Sequence, residues 1–531
     1  MDRGDGAEAL SPPDRVATAF AGAVLAALFV APVLALLMTA VVAPSANAFW
    51  GEPALWRIVG LTYGQALVSA VLSVLLGTAT ALLISERVLP HGKWIERFAL
   101  LPMALPTLVV ALAFVEAWGR RGWVSRTLQA TGLSPDGIGD LLYGWPGVLG
   151  CHAFFNIPIA LRYVGGVLAA DPRVEEKAAL VLGASRWDCF RLVTLHKLLS
   201  PMASAFLISF LFCSGSFVVV ALLGGGPRFT TLEVAIFEAV KVEFSPADAA
   251  RYALIQAVVC GAIFAALLRV APPVVRAGGA VFPIYRPRTP SGRGFLGGVG
   301  TALLLLLLGL PLIAIVASGC KSLALVDRAE ALAALGNSAV LALSVAALGA
   351  LLSTAVGLAA SAGGKAARAI EVLGGMPLAI SSMSLALGIS LAYPELFYAG
   401  GGGLAAVALV QSILALPLAH RPVVEALRGI DPRLSRAAAA LGAGPWRTLG
   451  WIRLPIAGRA IGLSALFSGV FSLGEVSTPL FLAGHGDATL PLLVYRWMSQ
   501  YRFAESSGLV LVLVVFVLAG VALVAALERE A

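Results

Sequence analysis

The sequence predicts an all-α integral membrane protein of about twelve transmembrane helices in two tandem sets of six, and three observations carry that expectation. The first is composition. Of 531 residues, 59% are hydrophobic and 12% charged, with a mean hydropathy of +0.92, whereas a soluble domain carries roughly 25% charged residues. The second is a series of apolar stretches, each long enough for the roughly 20 helical residues that cross a ~30 Å hydrocarbon layer. The third is a polar motif that occurs twice. Asp171-Pro172-Arg173 leads through Lys177-Ala178-Ala179 to Leu182-Gly183-Ala184 and Trp187, and Asp431-Pro432-Arg433 leads through Arg436-Ala437-Ala438 to Leu441-Gly442-Ala443 and Trp446. The glycines (442 − 183), the tryptophans (446 − 187) and two upstream prolines, Pro158 and Pro417, are each 259 residues apart. The Asp-Pro pairs are 260 apart, so one residue has been gained or lost inside the motif. A register held over that distance marks an internal duplication.

In chain order the apolar stretches fall near 16 to 42, 64 to 85, 98 to 118, 145 to 166, 201 to 223 and 250 to 272, then near 297 to 318, 336 to 360, 370 to 392, 402 to 421, 459 to 483 and 506 to 527. Lipid offers backbone amides no partner, so helices are expected, and the continuous runs lack the alternation of a barrel strand. Pro158 and Pro417 are expected to interrupt the fourth and tenth helices. Ala46-Asn47-Ala48 resembles a signal-peptidase site, yet the preceding run is far longer than the roughly 7 to 15 residues of a signal core. Asp2, Asp5 and Asp14 also stand among Arg3 and Arg15 there. The run is therefore expected to be an uncleaved first helix.

The segment 272–296 is rich in Pro, Gly and Arg, as in Pro283-Ile284-Tyr285-Arg286-Pro287. It reads as a cytoplasmic linker between a first half, 1–271, and a second, 297–531, with motif loops at about 171–198 and 431–456. Basic residues gather in those loops (Arg162, Arg173, Lys177, Arg186, Arg191, Lys197; Arg421, Arg428, Arg433, Arg436, Arg447, Arg453, Arg459) and in the linker. The positive-inside rule then places both loops and both termini of a multi-pass membrane protein in the cytoplasm. The same dispersed residues account for the net charge of +8 without a nucleic-acid surface, which would need a clustered patch. The outward loop near 119 to 145 is longer than its counterpart near 393 to 402, an asymmetry suited to an asymmetric partner.

Catalytic and metal chemistry find no pattern. Cys151, Cys189, Cys213, Cys260 and Cys320 form no Cys-x-x-Cys pair, and His91, His152, His196, His420 and His485 have no ligand spacing. Ser318-Gly319-Cys320-Lys321-Ser322 lacks the order of a phosphate-binding loop. The chain is therefore expected to be no enzyme, with no metal, cofactor or nucleotide site of its own.

In the repeated motif, the Ala pair favours a short helix, Gly183 or Gly442 breaks it, and Trp187 or Trp446 opens a second one. The expected product is a helix-turn-helix on the membrane surface with an Ala face that another protein can approach.

The segment resembles the EAA coupling loop of binding-protein-dependent ABC importers: Glu-Ala-Ala, three residues, Gly, nine residues, Ile-x-Leu-Pro. The second copy matches at Ala437, Ala438, Gly442, Ile452, Leu454 and Pro455, and the first at Ala178, Ala179, Gly183, Val193 and Leu195. The family Glu is Lys177 in the first copy, with Glu176 beside it, and Arg436 in the second; the terminal Pro is His196 in the first. The resemblance implies a fused type I importer permease with both membrane halves in one chain. It implies, as partners, two copies of a cytoplasmic ABC ATPase, which bind ATP and Mg, and a periplasmic solute-binding protein. It places ATPase coupling at Glu176, Ala178, Ala179, Gly183 and Trp187 of the first copy and at Ala437, Ala438, Gly442, Trp446, Leu454 and Pro455 of the second.

Gly119-Arg120-Arg121-Gly122-Trp123, His152-Ala153-Phe154-Phe155-Asn156-Ile157-Pro158, the stretch from Leu223 through Gly224-Gly225-Gly226-Pro227 to Phe237, and Leu490-Pro491-Leu492-Leu493-Val494-Tyr495 resemble permeases of thiamine (thiamine pyrophosphate) importers. Iron(III) and phosphonate permeases share the Phe-Phe-Asn-x-Pro and Gly-Gly-Gly-Pro elements and are the alternatives. A twelve-helix secondary transporter also has six-plus-six halves, but it would show more intramembrane ionisable residues. Within the apolar runs Glu475 stands out, opposite Ser216 in the other half (475 − 216 = 259). An intramembrane charge lines a cavity or is paired, so Glu475, Ser216 and Asn156 are candidates for a translocation path or gate, with structural pairing or packing as the alternative.

Overall fold

The computed structural model describes residues 11–42, 46–85, 105–132, 138–270, 302–395, 403–484 and 486–529, together with 98, 99, 102 and 300. The linker 272–296, His91 and His485 lie outside the described residues. The first half contains α1 (Pro12–Val42), α2 (Pro53–Ser85), α3 (Thr107–Trp118), α4 (Trp145–Ala170), α5 (Val174–Val181), α6 (Arg186–Ser214), α7 (Val218–Leu223), α8 (Leu232–Lys241) and α9 (Pro246–Val270). The second contains α10 (Ala302–Leu325), α11 (Arg328–Ser361), α12 (Gly364–Ala379), α13 (Ser382–Ala392), α14 (Gly403–Arg428), α15 (Pro432–Ala440), α16 (Pro445–Gly474), α17 (Ser477–Leu482), α18 (Leu490–Ser499) and α19 (Phe503–Arg529). The described residues form no strand.

Ten of these helices are long and apolar enough to cross a membrane, and α12 with α13 makes an eleventh candidate bent by 110°. The remaining predicted stretch, 98 to 118, is continuous helix only from Thr107. The fifth and eleventh stretches depart from expectation. Their helices begin inside the motif loops at Arg186 and Pro445 and stop at Ser214 and Gly474, short of the predicted 223 and 483. Pro158 and Pro417 do not interrupt α4 and α14. A proline costs an internal helix about 3 kcal/mol, but tight packing opposes bending: a Cβ at Gly77 of α2 would lie 2.7 Å from the Ile157 carbonyl oxygen. Such close approach at small residues holds helices together where lipid removes the hydrophobic drive.

Each half is built on the same three packed helices, α2, α4 and α6 in the first and α11, α14 and α16 in the second. The first helix of each half crosses to the other: α1 packs on α11 and α13, and α10 packs on α3. Polar contacts pin both crossings. Tyr393 Oη donates to the Ala27 carbonyl at 2.7 Å, and Glu116 of α3 accepts from Ser318 of α10 at 2.7 Å and Ser507 of α19 at 2.8 Å. The helix breaks meet at the seam in matching pairs. A Cβ at Gly215, after α6, would lie 3.7 Å from Ser381 Cβ, and one at Gly474, which ends α16, 3.5 Å from Pro106 Cα, before α3.

Candidate functional site

Both motif copies fold into the expected helix-turn-helix. In the first, α5 closes with the Leu182 amide on the Ala178 carbonyl at 3.0 Å and the Ala184 amide on the Ala179 carbonyl at 3.0 Å, around Gly183 at φ +90°. In the second, the Leu441 amide reaches the Ala437 carbonyl at 3.1 Å and the Ala443 amide the Ala438 carbonyl at 2.9 Å, around Gly442 at φ +81°. This is a glycine-centred helix stop. A Cβ at either glycine would meet nothing within 4 Å, so positive φ, and not close approach within the chain, requires glycine there.

The second short helix begins at Ser185 in the first copy, whose Oγ accepts from the Asp188 amide at 3.1 Å while Asp188 Oδ2 accepts from the Ser185 amide at 3.2 Å, a reciprocal cap. In the second copy Gly444 precedes Pro445, which fixes φ at the first helical position. One wide turn follows in each, at Phe190–Thr194 and Leu449–Arg453, again 259 residues apart (449 − 190). The chain then enters α6 and α16 through Leu195 and through Leu454-Pro455.

The loops present apolar surface. Leu182 and Leu441 are 87% and 89% exposed, Trp187 and Trp446 66% and 56%. A surface hollow of about 400 Å³ is lined by Ala443, Arg447, Thr448, Trp451 and Ile452. The expected Ala face is split: Ala178 and Ala437 are exposed, Ala179 is half-buried and Ala438 buried.

Glu176 is turned into the loop. Its Oε1 accepts from Thr194 Oγ1 at 2.6 Å and its Oε2 lies 3.9 Å from Arg173 Nε, so it ties α5 to the wide turn. Lys197 pairs with Asp171 at 2.9 Å and Glu175 at 2.7 Å. Burial raises the Asp171 pKa, but hydrogen bonds from Lys197 and the Arg173 amide outweigh it and hold it below the ordinary value; the Lys197 hydrogen bond lowers that of Glu175. The second loop is anchored elsewhere. Arg453 pairs with Asp14 of α1 at 2.7 Å and donates to Ser361 Oγ at 3.1 Å, and Arg428 pairs with Glu371 at 2.7 Å. The start of α1, the end of α11 and the second loop therefore lie on one side of the molecule.

Ser216 and Glu475 occupy equivalent helix breaks, between α6 and α7 and between α16 and α17. Glu475 accepts from the Ser477 and Thr478 amides at 2.9 and 2.8 Å, capping α17, and Gln411 Nε2 approaches it at 3.5 Å. Ser216 is half-buried. Asn156 is buried inside the first half, donating to the His152 carbonyl at 2.8 Å and to Cys213 Sγ at 3.4 Å. Four cysteines are buried and Cys320 is exposed.

Sequence reasoning singled out Glu475 among intramembrane carboxylates and passed over Glu116, Glu233 and the Asp14–Arg453 pair. Glu116 interrupts an otherwise apolar run, which was a legible signal; the others depend on contacts between distant segments.

The sequence profile of the binding-protein-dependent transport system inner membrane component matches residues 73–275 and again 293–529. Similar proteins include the thiamine transport system permease protein ThiP of Escherichia coli, 29% identical over 494 residues, covering 89% of each chain. That of Brucella abortus is 29% identical over 474 residues, 88% of this chain and 86% of the relative. That of Haemophilus influenzae is 33% identical over 218 residues, 41% of this chain and 40% of the relative.

Proposed function

Because the chain belongs to the family of binding-protein-dependent transport system inner membrane components, matched by both of its halves, we propose that it is the permease of an ATP-driven importer for thiamine and its phosphates. The observation that carries the cargo is similarity to thiamine permeases over 89% of the chain. The duplicated loops carry the coupling role. Two ATPase subunits, supplied as separate chains, would dock the exposed surfaces around Trp187 and Trp446. A docking surface needs apolar anchors on a stiff support, and the glycine stops, caps and wide turns supply that support. Glu176 braces the first loop from within, while Ala178, Ala437 and the exposed Leu and Trp side chains face the ATPase.

Closure of the ATPase dimer would push both loops, and because each loop runs into α6 or α16 without a flexible joint, the push reaches the breaks at Ser216 and Glu475. Rotation of the halves about their shared seam would then open the path toward the periplasmic binding protein. Cargo is released inward only if the permease binds it weakly in one of the two states. In this arrangement both loops and both termini are cytoplasmic.

The test of function is ATP-driven uptake in vesicles holding the permease, its ATPase and its binding protein. Labelled thiamine should accumulate, whereas uptake of iron(III) or a phosphonate in its place would replace the cargo. Orientation is tested by single cysteines at Ser185 and Gly444, which should react with an impermeant maleimide only in inverted vesicles. A cysteine at the exposed Gln129, in the outward loop, should react only in spheroplasts.

A further inference from the structure

The seam between the halves holds a second carboxylate. Glu233 is the second residue of α8, is 1% exposed, and its Oε1 has no hydrogen-bond partner. Ser381, at the α12–α13 break of the second half, and Gln256 of α9 lie within reach of the carboxylate. Gln256 is already engaged: its Nε2 donates to the Ser214 carbonyl at 3.1 Å and its Oε1 accepts from Ser384 Oγ at 3.2 Å. Glu475, from the second half, immediately precedes α17, and α17 and α8 both pack on the same helix of the second half, α13. α8 and α17 also touch directly at their far ends, where Lys241 donates to the Phe481 carbonyl at 3.1 Å and stands over that ring at 5.4 Å. Thr478, one turn beyond Glu475, is fully buried and its Oγ1 is also without a partner.

Neither carboxylate forms an ion pair with any described residue. A buried carboxylate without a cation costs several kcal/mol. Packing does not require the charge. Thr62 of α2 accepts from the Leu232 amide at 2.8 Å just as Ser338 of α11 accepts from the Leu490 amide at 2.8 Å, and in that matched frame the residue opposite Glu233 is Pro491. One helical turn after Glu233, Phe237 meets Phe217 at 5.3 Å, and Phe217 meets Tyr495 of the second half at 6.3 Å. Aromatic faces attract organic cations.

Resting on the reading that the cargo is thiamine, we infer that Glu233 and Glu475, one from each half, form a single receiving site for an organic monocation, the thiazolium ring, beside the aromatic side chains of Phe217, Phe237 and Tyr495. Because the carboxylates belong to different halves, the return rotation that closes the outward path separates them, weakens the site and releases the cargo inward. Charge recognition and release are thus parts of one movement.

The experiment compares vesicle uptake of thiamine with that of a neutral thiophene analogue in wild type, Glu233→Gln and Glu233→Asp. Glu233→Gln leaves the cap on α17 intact. It should lower thiamine uptake roughly tenfold while the analogue loses much less, and Glu233→Asp should restore thiamine. Equal loss of both cargoes, or no loss of either, would overturn the site. Absence of thiamine uptake by the wild-type complex would instead overturn the cargo reading, and the cation assignment with it. Should Glu233→Gln fail to reach the membrane, carbodiimide labelling of Glu233 in the wild type takes its place. Thiamine with loaded binding protein should slow that labelling and the neutral analogue should not; indifference to thiamine overturns the site.

Discussion

The two motif loops share a backbone and differ in how they are held. Both have a short helix, a positive-φ glycine, a second short helix and a wide turn in one register. The first is braced by carboxylates within its own half, Glu176 on Thr194 and Asp171 with Glu175 on Lys197. At the position of Thr194 the second carries Arg453, whose partner Asp14 belongs to the first helix of the other half. Duplication preserved what local backbone geometry demands, while side-chain anchors diverged because many pairings can support one turn. The consequence is mechanical: a push on the second loop bears directly on α1 of the first half, whereas a push on the first loop bears on elements of its own half, α6 through Lys197 and the end of α2 through Arg173 on Ser85.

The largest effect should come from breaking what the loops share. Gly183→Val with Gly442→Val forces a branched residue to positive φ at a cost of roughly 1–2 kcal/mol per site, about 5- to 30-fold in the population of the docking conformation at each loop. Transport and co-purification with the ATPase should both be lost while the protein still inserts; undiminished uptake would end the coupling role.

Next is the anchor unique to the second loop. Asp14→Ala leaves Arg453, whose side chain is 17% exposed, without its carboxylate, a loss of about 1–3 kcal/mol. Hydrogen exchange should speed up across 445–453 and stay unchanged across 186–194. Equal loosening of both would erase the distinction.

A smaller effect should follow pH. The Asp171 and Glu175 pKa values are lowered in the folded loop, so their stabilisation is fully present above the unfolded carboxylate range and is lost as pH falls through the lowered values. Exchange protection of 174–181 should decline with acidification, and Lys197→Ala should flatten that dependence. A profile identical in the variant would remove Lys197 as its cause.

The smallest effect concerns the caps. Ser185→Ala should cost the first loop about 1 kcal/mol, and Gly444→Ser should change the second by only a few tenths, read as local exchange rates. A larger response at Gly444 would mean that the second loop depends on its cap more than its Gly-Pro start implies.

Sequence by itself determined the helical membrane class, the duplication and the form of both loops. These follow from rules that act within a few residues: lipid leaves only helices for the backbone, positive φ selects glycine, and Asp, Ser and Pro mark helix starts. The candidate coupling residues were legible for that reason, apart from the direction in which Glu176 points. Only tertiary structure decided that α6 and α16 break at Ser216 and Glu475, that Pro158 and Pro417 do not break their helices, and that α1 and α10 exchange halves. It also decided that Asp14 meets Arg453 across 439 residues and that Glu233 is buried on a helix that packs against α13 of the other half. Each of those outcomes is set by contact between segments far apart in the chain, where neighbouring helices, and no local propensity, determine whether a proline bends or a carboxylate stays unpaired.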